Sequence, residues 1–256
     1  MDKCYRVFVI VTALGEVGYK EKKSNIDLYD PDANAGSGNY NKYAYEIDTK
    51  YPSFYNGRKN GYSWCDVYND WCFIVTYGED KARKMLYQPI KSSGAGCLYS
   101  MRYYIRAGEF YSMPEIGDQI FFGTRGNTSS STHTGIVVKV DGKKVYTVEG
   151  NSKNAVRMCS YKLTDKTIIG YGRPAYDPDP ISVELPVIKK GVKSGNVAYM
   201  QAALIVLGYD VGSTGVDGSF GGKTDAAVRA FQKDKKLTVD GVCGPKTWAK
   251  ICELLK

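Results

Sequence analysis

The chain has 256 residues, a formal net charge of +8, and one histidine against seven cysteines. At roughly 150 residues per domain this length suits one large or two small domains, enough to bury a core without staples. The cysteines at 4, 65, 72, 97, 159, 243 and 252 include no C-x-x-C pair, so a grouped zinc site is not expected and a His-rich metal centre is impossible. Their odd number argues against a disulfide framework and for a reduced, cytoplasmic chain.

The positive balance suits polyanionic partners such as nucleic acid, anionic lipid or wall polymers, or serves solubility alone. No basic run or aromatic-basic motif supports nucleic acid, and no apolar run is long enough to span a membrane. Near the start, Lys3 and Arg6 precede an apolar stretch from Val7 to Leu14. Thr12 interrupts it, no small-x-small cleavage site follows, and Glu16, Lys20, Glu21, Lys22 and Lys23 come next. The pattern predicts a first helix packed on the core rather than a signal peptide. Asp27, Asp30, Asp32 and Asn34 then begin like a calcium loop, but Gly36 stands one place late and no Glu closes the run. The expectation is no metal and no cofactor, with calcium as the alternative and a solvated turn as the plain reading. Tyr40, Tyr43, Tyr45, Tyr51, Tyr55 and Tyr62 follow, rings that either pack or line a groove.

In the next segment Trp64, Val67, Tyr68, Trp71, Cys72 and Val75 recur at helical spacing behind an Asn60-Gly61 turn, with Ser63 as the expected N-cap. Cys65 then falls in the first helical turn. Free backbone N–H groups and the helix dipole stabilise a thiolate there, and the same N–H groups suit an oxyanion. Position alone leaves open a buried core cysteine. Cys72, two turns on in an apolar context, reads as packing.

Further along, two β-branched runs flank Asp141-Gly142, a hairpin signal. His133 opens the first strand, and Glu149 and Asn151 close the second, so all three lie at the open end. A histidine oriented by a carboxylate or amide is what thiol activation requires. Register decides whether they meet. A two-residue loop pairs Val140 with Lys143 and turns Glu149 and Asn151 away from the imidazole. A three-residue loop, or a bulge, pairs His133 with Asn151 and brings Glu149 diagonally onto the same face. The chemistry requires the latter.

Four prolines, 174, 178, 180 and 186, mark a linker. Beyond it Val216-Asp-Gly-Ser-Phe-Gly-Gly-Lys-Thr224 repeats as Val239-Asp-Gly-Val-Cys-Gly-Pro-Lys-Thr247, each copy a turn feeding a helix. Ala227, Val228 and Phe231 form one apolar stripe; Trp248, Ile251, Leu254 and Leu255 form another; Met200, Leu204 and Leu207 belong to an earlier helix. The expected domains are 1–176, a linker over 177–190, and a three-helix module over 191–256.

Two resemblances follow. The N-V-x-x-M-Q-x-x-L start at Asn196, Leu207-Gly208-Tyr209, A-V-x-x-F-Q at Ala227 and the two V-D-G turns resemble the peptidoglycan-binding domain 1 family. G-Y-S-W-C-D-V-Y-N-D-W-C at 61–72, M-P-E-I-G-D-Q-I-F-F at 113–122, H-T-G-I-V at 133–137 and V-E-G-N at 148–151 resemble the CHAP family of cysteine/histidine-dependent amidohydrolases and peptidases, in particular those of phage endolysins. The resemblance implies an α+β, papain-like (NlpC/P60-like) domain with an antiparallel sheet. It makes Cys65 the nucleophile, His133 the general base and acid and Glu149 the orienting group, with Asn151 as a fourth polar group at the site. Trp64 stands where family members often carry Gln, which leaves a side-chain oxyanion donor unassigned. The implied partner is bacterial peptidoglycan, with no nucleic acid and no membrane, and oligomeric state stays open. The implied reaction is hydrolysis of a wall amide bond, N-acetylmuramoyl-L-alanine or a stem or cross-bridge peptide. An inactive wall-binding scaffold is the non-enzymatic alternative. The expected route is synthesis in the host cytoplasm without a signal peptide and action at the wall after release.

Overall fold

The computed structural model describes residues 5–90, 93–176 and 186–255. Among them eight helices form, α1 Tyr5–Gly15, α2 Lys42–Lys50, α3 Cys65–Tyr77, α4 Glu79–Met85, α5 Cys97–Ala107, α6 Gly195–Val206, α7 Gly222–Asp234 and α8 Pro245–Leu254. Six strands lie between α5 and α6: β1 Phe110–Tyr111, β2 Gln119–Phe122, β3 His133–Val140, β4 Lys144–Glu149, β5 Arg157–Lys162 and β6 Ile168–Gly172. No helix among the described residues is long and apolar enough to cross a membrane. Contacts divide the chain into two units, Glu16–Ala175 and the combination of Met1–Gly15 with Tyr176–Lys256.

In the Glu16–Ala175 unit the strands form one antiparallel sheet in the order β1-β6-β2-β3-β4-β5. Alternation along the strands gives the sheet two chemically different faces. One carries an apolar cluster of Ile120, Phe122, Val137, Val145, Ile168 and Tyr171. The other meets α3, where Asn69 Nδ2 donates to Thr134 Oγ1 at 3.2 Å. Helices α2, α4 and α5 also pack on α3, so residues 65–74 are all buried, including Asp66, Asn69 and Asp70. An apolar stripe alone predicts polar residues facing water; a helix covered on several sides buries its polar positions too, and each then needs a partner. Val75, expected on the stripe, is exposed instead.

The hairpin reaches the required register through a bulge, one of the two expected routes, combined with a longer turn. Val140 pairs with Val145, which leaves four residues in the connection. Asp141 closes that turn by accepting from the backbone N–H of Lys143 and Lys144 at 3.0 and 2.8 Å. A bulge between Val137 and Lys139 then shifts the pairing, so that Ile136 faces Val148. Continued outward, this register sets Gly135 opposite Glu149 and His133 opposite Asn151.

The second unit contains the three helices expected of the C-terminal module, α6, α7 and α8. It also contains α1, which packs on α6 with Phe8 stacked on Tyr199 at 5.0 Å. The first helix therefore does form, but its partner is the module rather than the core of the region that follows it. Val7, Val9, Ile10, Ala13 and Leu14 are all buried, and a helix so apolar on several sides does not announce its partner. The linker expected over 177–190 lies in part, 177–185, outside the described residues. Its last residues belong to the module: Trp248 Nε1 donates to the Pro186 carbonyl at 2.9 Å, and Ile188 bridges to Cys243.

The internal repeat becomes a repeated clamp. In the first copy Gln201 Nε2 donates to Asp217 Oδ1 at 2.8 Å, the Ser219 carbonyl at 3.1 Å and Thr224 Oγ1 at 3.1 Å, while its Oε1 accepts from Gly218 N at 2.9 Å. In the second, Gln232 Nε2 donates to Asp240 Oδ1 at 2.8 Å, the Val242 carbonyl at 3.0 Å and Thr247 Oγ1 at 3.2 Å, while its Oε1 accepts from Asp240 N and Gly241 N at 3.1 and 2.9 Å. The V-D-G turn needs a left-handed residue, and Gly218 and Gly241 both sit at φ 70°. Pro245 occupies the first turn of α8, where its missing N–H costs nothing.

Candidate active site

Cys65 is the first residue of α3. The cap position is Trp64, not Ser63, and it makes no side-chain capping bond. The first-turn N–H groups therefore have no capping side chain to occupy them. Trp64 is fixed from below: its indole Nε1 donates to the buried Glu21 carboxylate at 2.8 Å. Its nitrogen is thus committed and does not supply a side-chain oxyanion donor.

His133 opens β3, and Glu149 closes β4. His133 Nε2 lies 2.9 Å from Glu149 Oε2, which leaves Nδ1 as the nitrogen available to Cys65. Glu149 is only 1% exposed and accepts two further bonds, from Thr147 Oγ1 to Oε1 at 2.6 Å and from Tyr161 OH to Oε2 at 3.2 Å. Burial pushes this carboxyl up, but the bonds from His133, Thr147 and Tyr161 outweigh it and hold it below its ordinary value. The carboxylate reaches the imidazole across Gly135. A Cβ at that position would stand 2.6 Å from Glu149 Cγ and 3.0 Å from the Val148 carbonyl oxygen. Phe122, with its ring centroid 5.8 Å from that of His133, flanks the imidazole.

Cys97 completes the arrangement. It is the first residue of α5, and its Sγ lies 3.3 Å from Cys65 Sγ. The hydrogen bond from Cys97 is the largest influence on Cys65; together with His133 and the Asp66 backbone N–H it overcomes burial and lowers the thiol to about 5. Cys97 itself is raised by that same bond, by burial and by the neighbouring charge. Burial pulls His133 down, yet its bonds to Cys65 and Glu149 lift it to about 9. Both directions favour a Cys65 thiolate paired with a His133 imidazolium.

Asn151 follows β4 with a left-handed backbone, φ 55°, and its Nδ2 lies 3.4 Å from Asn39 Oδ1; Glu149 is the group that bonds the imidazole. Cys72 is fully buried and its thiol is pushed well up by burial, in keeping with packing. Cys252 is disulfide-bonded, so the expectation of a reduced chain does not hold; Cys65, Cys72, Cys97, Cys159 and Cys243 are free.

The run expected to resemble a calcium loop holds a lysine. Lys22 is buried, and its Nζ donates to the Asp30 carbonyl at 2.6 Å. Burial lowers this amine, while Asp30, Asp32 and Asp27 oppose the fall. Asp32 pairs with Lys20 at 2.8 Å, and the Asp30 carboxylate is taken up by the backbone N–H of Asp32 and Ala33.

A cysteine at a helix start, a histidine and carboxylate on a packed hairpin, and a separate module of repeated turns are matched by two family models. The CHAP domain matches residues 57–151, and the putative peptidoglycan binding domain matches residues 193–251. The chain carries a CHAP domain and a peptidoglycan-binding domain. The CHAP match spans Cys65, His133 and Glu149 together, and the second match spans both Gln clamps. Among curated relatives, the chain is 39% identical over 61 residues to N-acetylmuramoyl-L-alanine amidase CwlL of Bacillus licheniformis, covering 24% of this chain and 17% of that protein. It is 32% identical over 117 residues to N-acetylmuramoyl-L-alanine amidase CwlM of Mycobacterium tuberculosis, covering 45% of this chain and 22% of that one. The chain thus spans less than a quarter of the length of either relative. Among solved structures, a peptidoglycan-binding protein from Clostridioides difficile in complex with glutamine hydroxamate is 26% identical, covering 54% of this chain and 94% of that one at a TM-score of 0.30.

Proposed function

We propose that the protein is a cysteine-dependent peptidoglycan hydrolase whose CHAP domain cleaves the N-acetylmuramoyl-L-alanine amide bond. The observation that carries this reading is the Cys65–His133–Glu149 chain, with His133 Nε2 2.9 Å from a buried carboxylate and its other nitrogen left for the thiol. In the first step Cys65 Sγ attacks the amide carbonyl carbon, and the uncapped first-turn N–H groups of α3 receive the developing oxyanion. His133 gives its proton to the leaving amine, which departs as the carbonyl re-forms on the thioester. His133 then takes a proton from water, the water oxygen attacks the thioester, and Cys65 leaves as thiolate. Glu149 keeps the imidazole oriented and stabilises its charge throughout. The peptidoglycan-binding domain holds the chain on the wall, which raises the local concentration of bonds without touching the chemical step.

The choice of the muramoyl bond rests on the amidases among the curated relatives. Mass analysis of digested peptidoglycan tests it. New free N-termini on L-alanine are expected; new N-termini within the stem or cross-bridge would make the enzyme an endopeptidase with the same machinery.

A further inference from the structure

The mechanism uses one of the two sulfurs at the site. Cys65 and Cys97 each open a helix, both are nearly buried at 8% and 6% exposure, and their sulfurs face each other at 3.3 Å. A disulfide requires a separation of about 2.05 Å, so an approach of roughly 1.2 Å joins them. We propose that Cys65 and Cys97 are a peroxide-sensitive redox pair, in which Cys97 captures oxidised Cys65 as a disulfide and so switches the hydrolase off reversibly. This inference rests on the reading of Cys65 as the nucleophile.

The chemistry balances with hydrogen peroxide as the two-electron oxidant. Cys65 thiolate attacks one peroxide oxygen; the S–O bond forms, the O–O bond breaks, and hydroxide leaves to be protonated by solvent. The Cys97 sulfur then attacks Cys65 Sγ; the S–S bond forms, the S–O bond breaks, and the oxygen leaves as water with the Cys97 proton. Two thiols are oxidised and one peroxide is reduced to two waters. The geometry times the second step. While Cys65 is a thiolate, its negative charge and the S–H bond it accepts keep the Cys97 proton in place. Once Cys65 becomes a neutral sulfenic acid, that hold disappears, and Cys97 at the head of its own helix is freer to ionise. Cys65 keeps 8% of its surface exposed, and hydrogen peroxide is smaller than any amide substrate that must reach the same sulfur. Closure protects the nucleophile from the sulfinic state, which thiols do not reverse.

The test uses the full chain. Treat it with a small excess of hydrogen peroxide, alkylate the remaining thiols, digest without reduction, and map the peptides by mass. In parallel, follow the clearing of purified cell walls before and after dithiothreitol. The expected result is a cross-linked peptide joining Cys65 to Cys97, distinct from the disulfide at Cys252. A loss of lysis of at least about tenfold should accompany it and reverse with the reductant. In Cys97→Ser and Cys97→Ala the cross-link is absent. Cys65 proceeds to the sulfinic acid, and the lost fraction of each variant's own starting activity does not return. Loss of lysis in the wild type with Cys65 as sulfinic acid and no cross-link overturns the pair while leaving Cys65 as nucleophile. A complete cross-link with undiminished lysis overturns the nucleophile assignment and the switch with it. The map of the wild-type chain is decisive even if both variants fail to fold.

Discussion

Both units bury side-chain amides, and they treat them oppositely. In the peptidoglycan-binding module each Gln clamp closes on itself: Gln201 and Gln232 bond with both amide atoms, and the Asp and Thr of each repeat meet them. In the CHAP domain the buried polar groups beneath α3 are only partly matched. Asp66 accepts from Gly96 N, Ser100 Oγ and Gln119 Nε2, yet the side-chain oxygens of Asn69, Gln88 and Gln119 find no hydrogen-bond partner among the described residues. Burial, with the charges of Asp70 and Cys65, pushes Asp66 well above the carboxylate range, and Asp70 rises to about 6. A fully matched buried network specifies a fold and little else. Shifted protonation states cluster at functional sites. The same residue types therefore read as scaffold in one unit and as site in the other, on the strength of what satisfies them.

The largest effect that sharpens this contrast is Cys65→Ala, expected to reduce wall lysis to background while wall pull-down by the module stays intact. Full lysis in that variant removes the proposed mechanism. Next is Glu149→Gln, which leaves the bond from Tyr161 in reach but removes the charge beneath the imidazolium. We expect kcat to fall roughly 100-fold, within the range that acid–base groups contribute. The pH profile should change with it. In the wild type, lysis rises as pH passes about 5, where Cys65 becomes a thiolate, and falls as it passes about 9, where His133 loses the proton owed to the leaving amine. Glu149 raises the His133 value, so its neutralisation moves the upper limb to lower pH; an unmoved upper limb would separate Glu149 from the imidazole.

Gly135→Ala asks whether the hairpin register serves the site. Its new methyl meets Glu149 Cγ at 2.6 Å and has backbone on the other side, so the carboxylate must shift. Overpacking of this kind costs about 1–3 kcal/mol, read as a lower Tm, and kcat should fall with it by about tenfold, since small misplacements of catalytic groups are expensive. On the other side of the comparison, Gln232→Ala strips partners from Asp240, Gly241 and Val242 and should destabilise by about 1–3 kcal/mol. Wall binding then weakens, while kcat on a soluble muropeptide is unchanged. A change in that kcat would show the clamp to be more than scaffold.

What could be read from the sequence follows from how local each signal is. Cys65 was legible because helical periodicity and a turn fix a helix start within a few residues. His133 and Glu149 were legible because a hairpin joins them, and the demand that they meet anticipated a bulge. The four-residue turn was not anticipated, since Asp141 bonding its own turn hides behind the Asp-Gly signal. Ser63 is a good cap by type, but the helix begins after Trp64, which Glu21 anchors from 43 positions away. Cys97 lay 32 positions from Cys65 behind a Gly94-Ala95-Gly96 turn, and nothing local reports which helix start faces which. Helix α1 was found but given the wrong partner, because an all-round apolar helix fits either unit.

The smallest expected effect concerns the acidic run before the site. Calcium needs six to eight oxygens at about 2.3–2.6 Å, most of them unengaged. Here Asp30 is spent on backbone N–H groups, Asp32 faces Lys20, and Asn34 Nδ2 donates to the Ser24 hydroxyl and the Ile26 carbonyl at 3.0 Å each. The Lys22 ammonium already brings a positive charge to the Asp30 carbonyl. Adding a chelator to the intact protein should therefore change the lysis rate by less than about twofold, because no group of three or more His, Cys, Asp or Glu among the described residues is placed to hold a metal ion. Lys22→Met should instead lower Tm, since an acidic turn then loses its counter-charge and the Asp30 carbonyl loses its donor, a bond to a charged group worth about 1.5–3 kcal/mol. A strong chelator effect on the wild type would mean that the loop rearranges to admit a metal, and that Lys22 is displaced when it does.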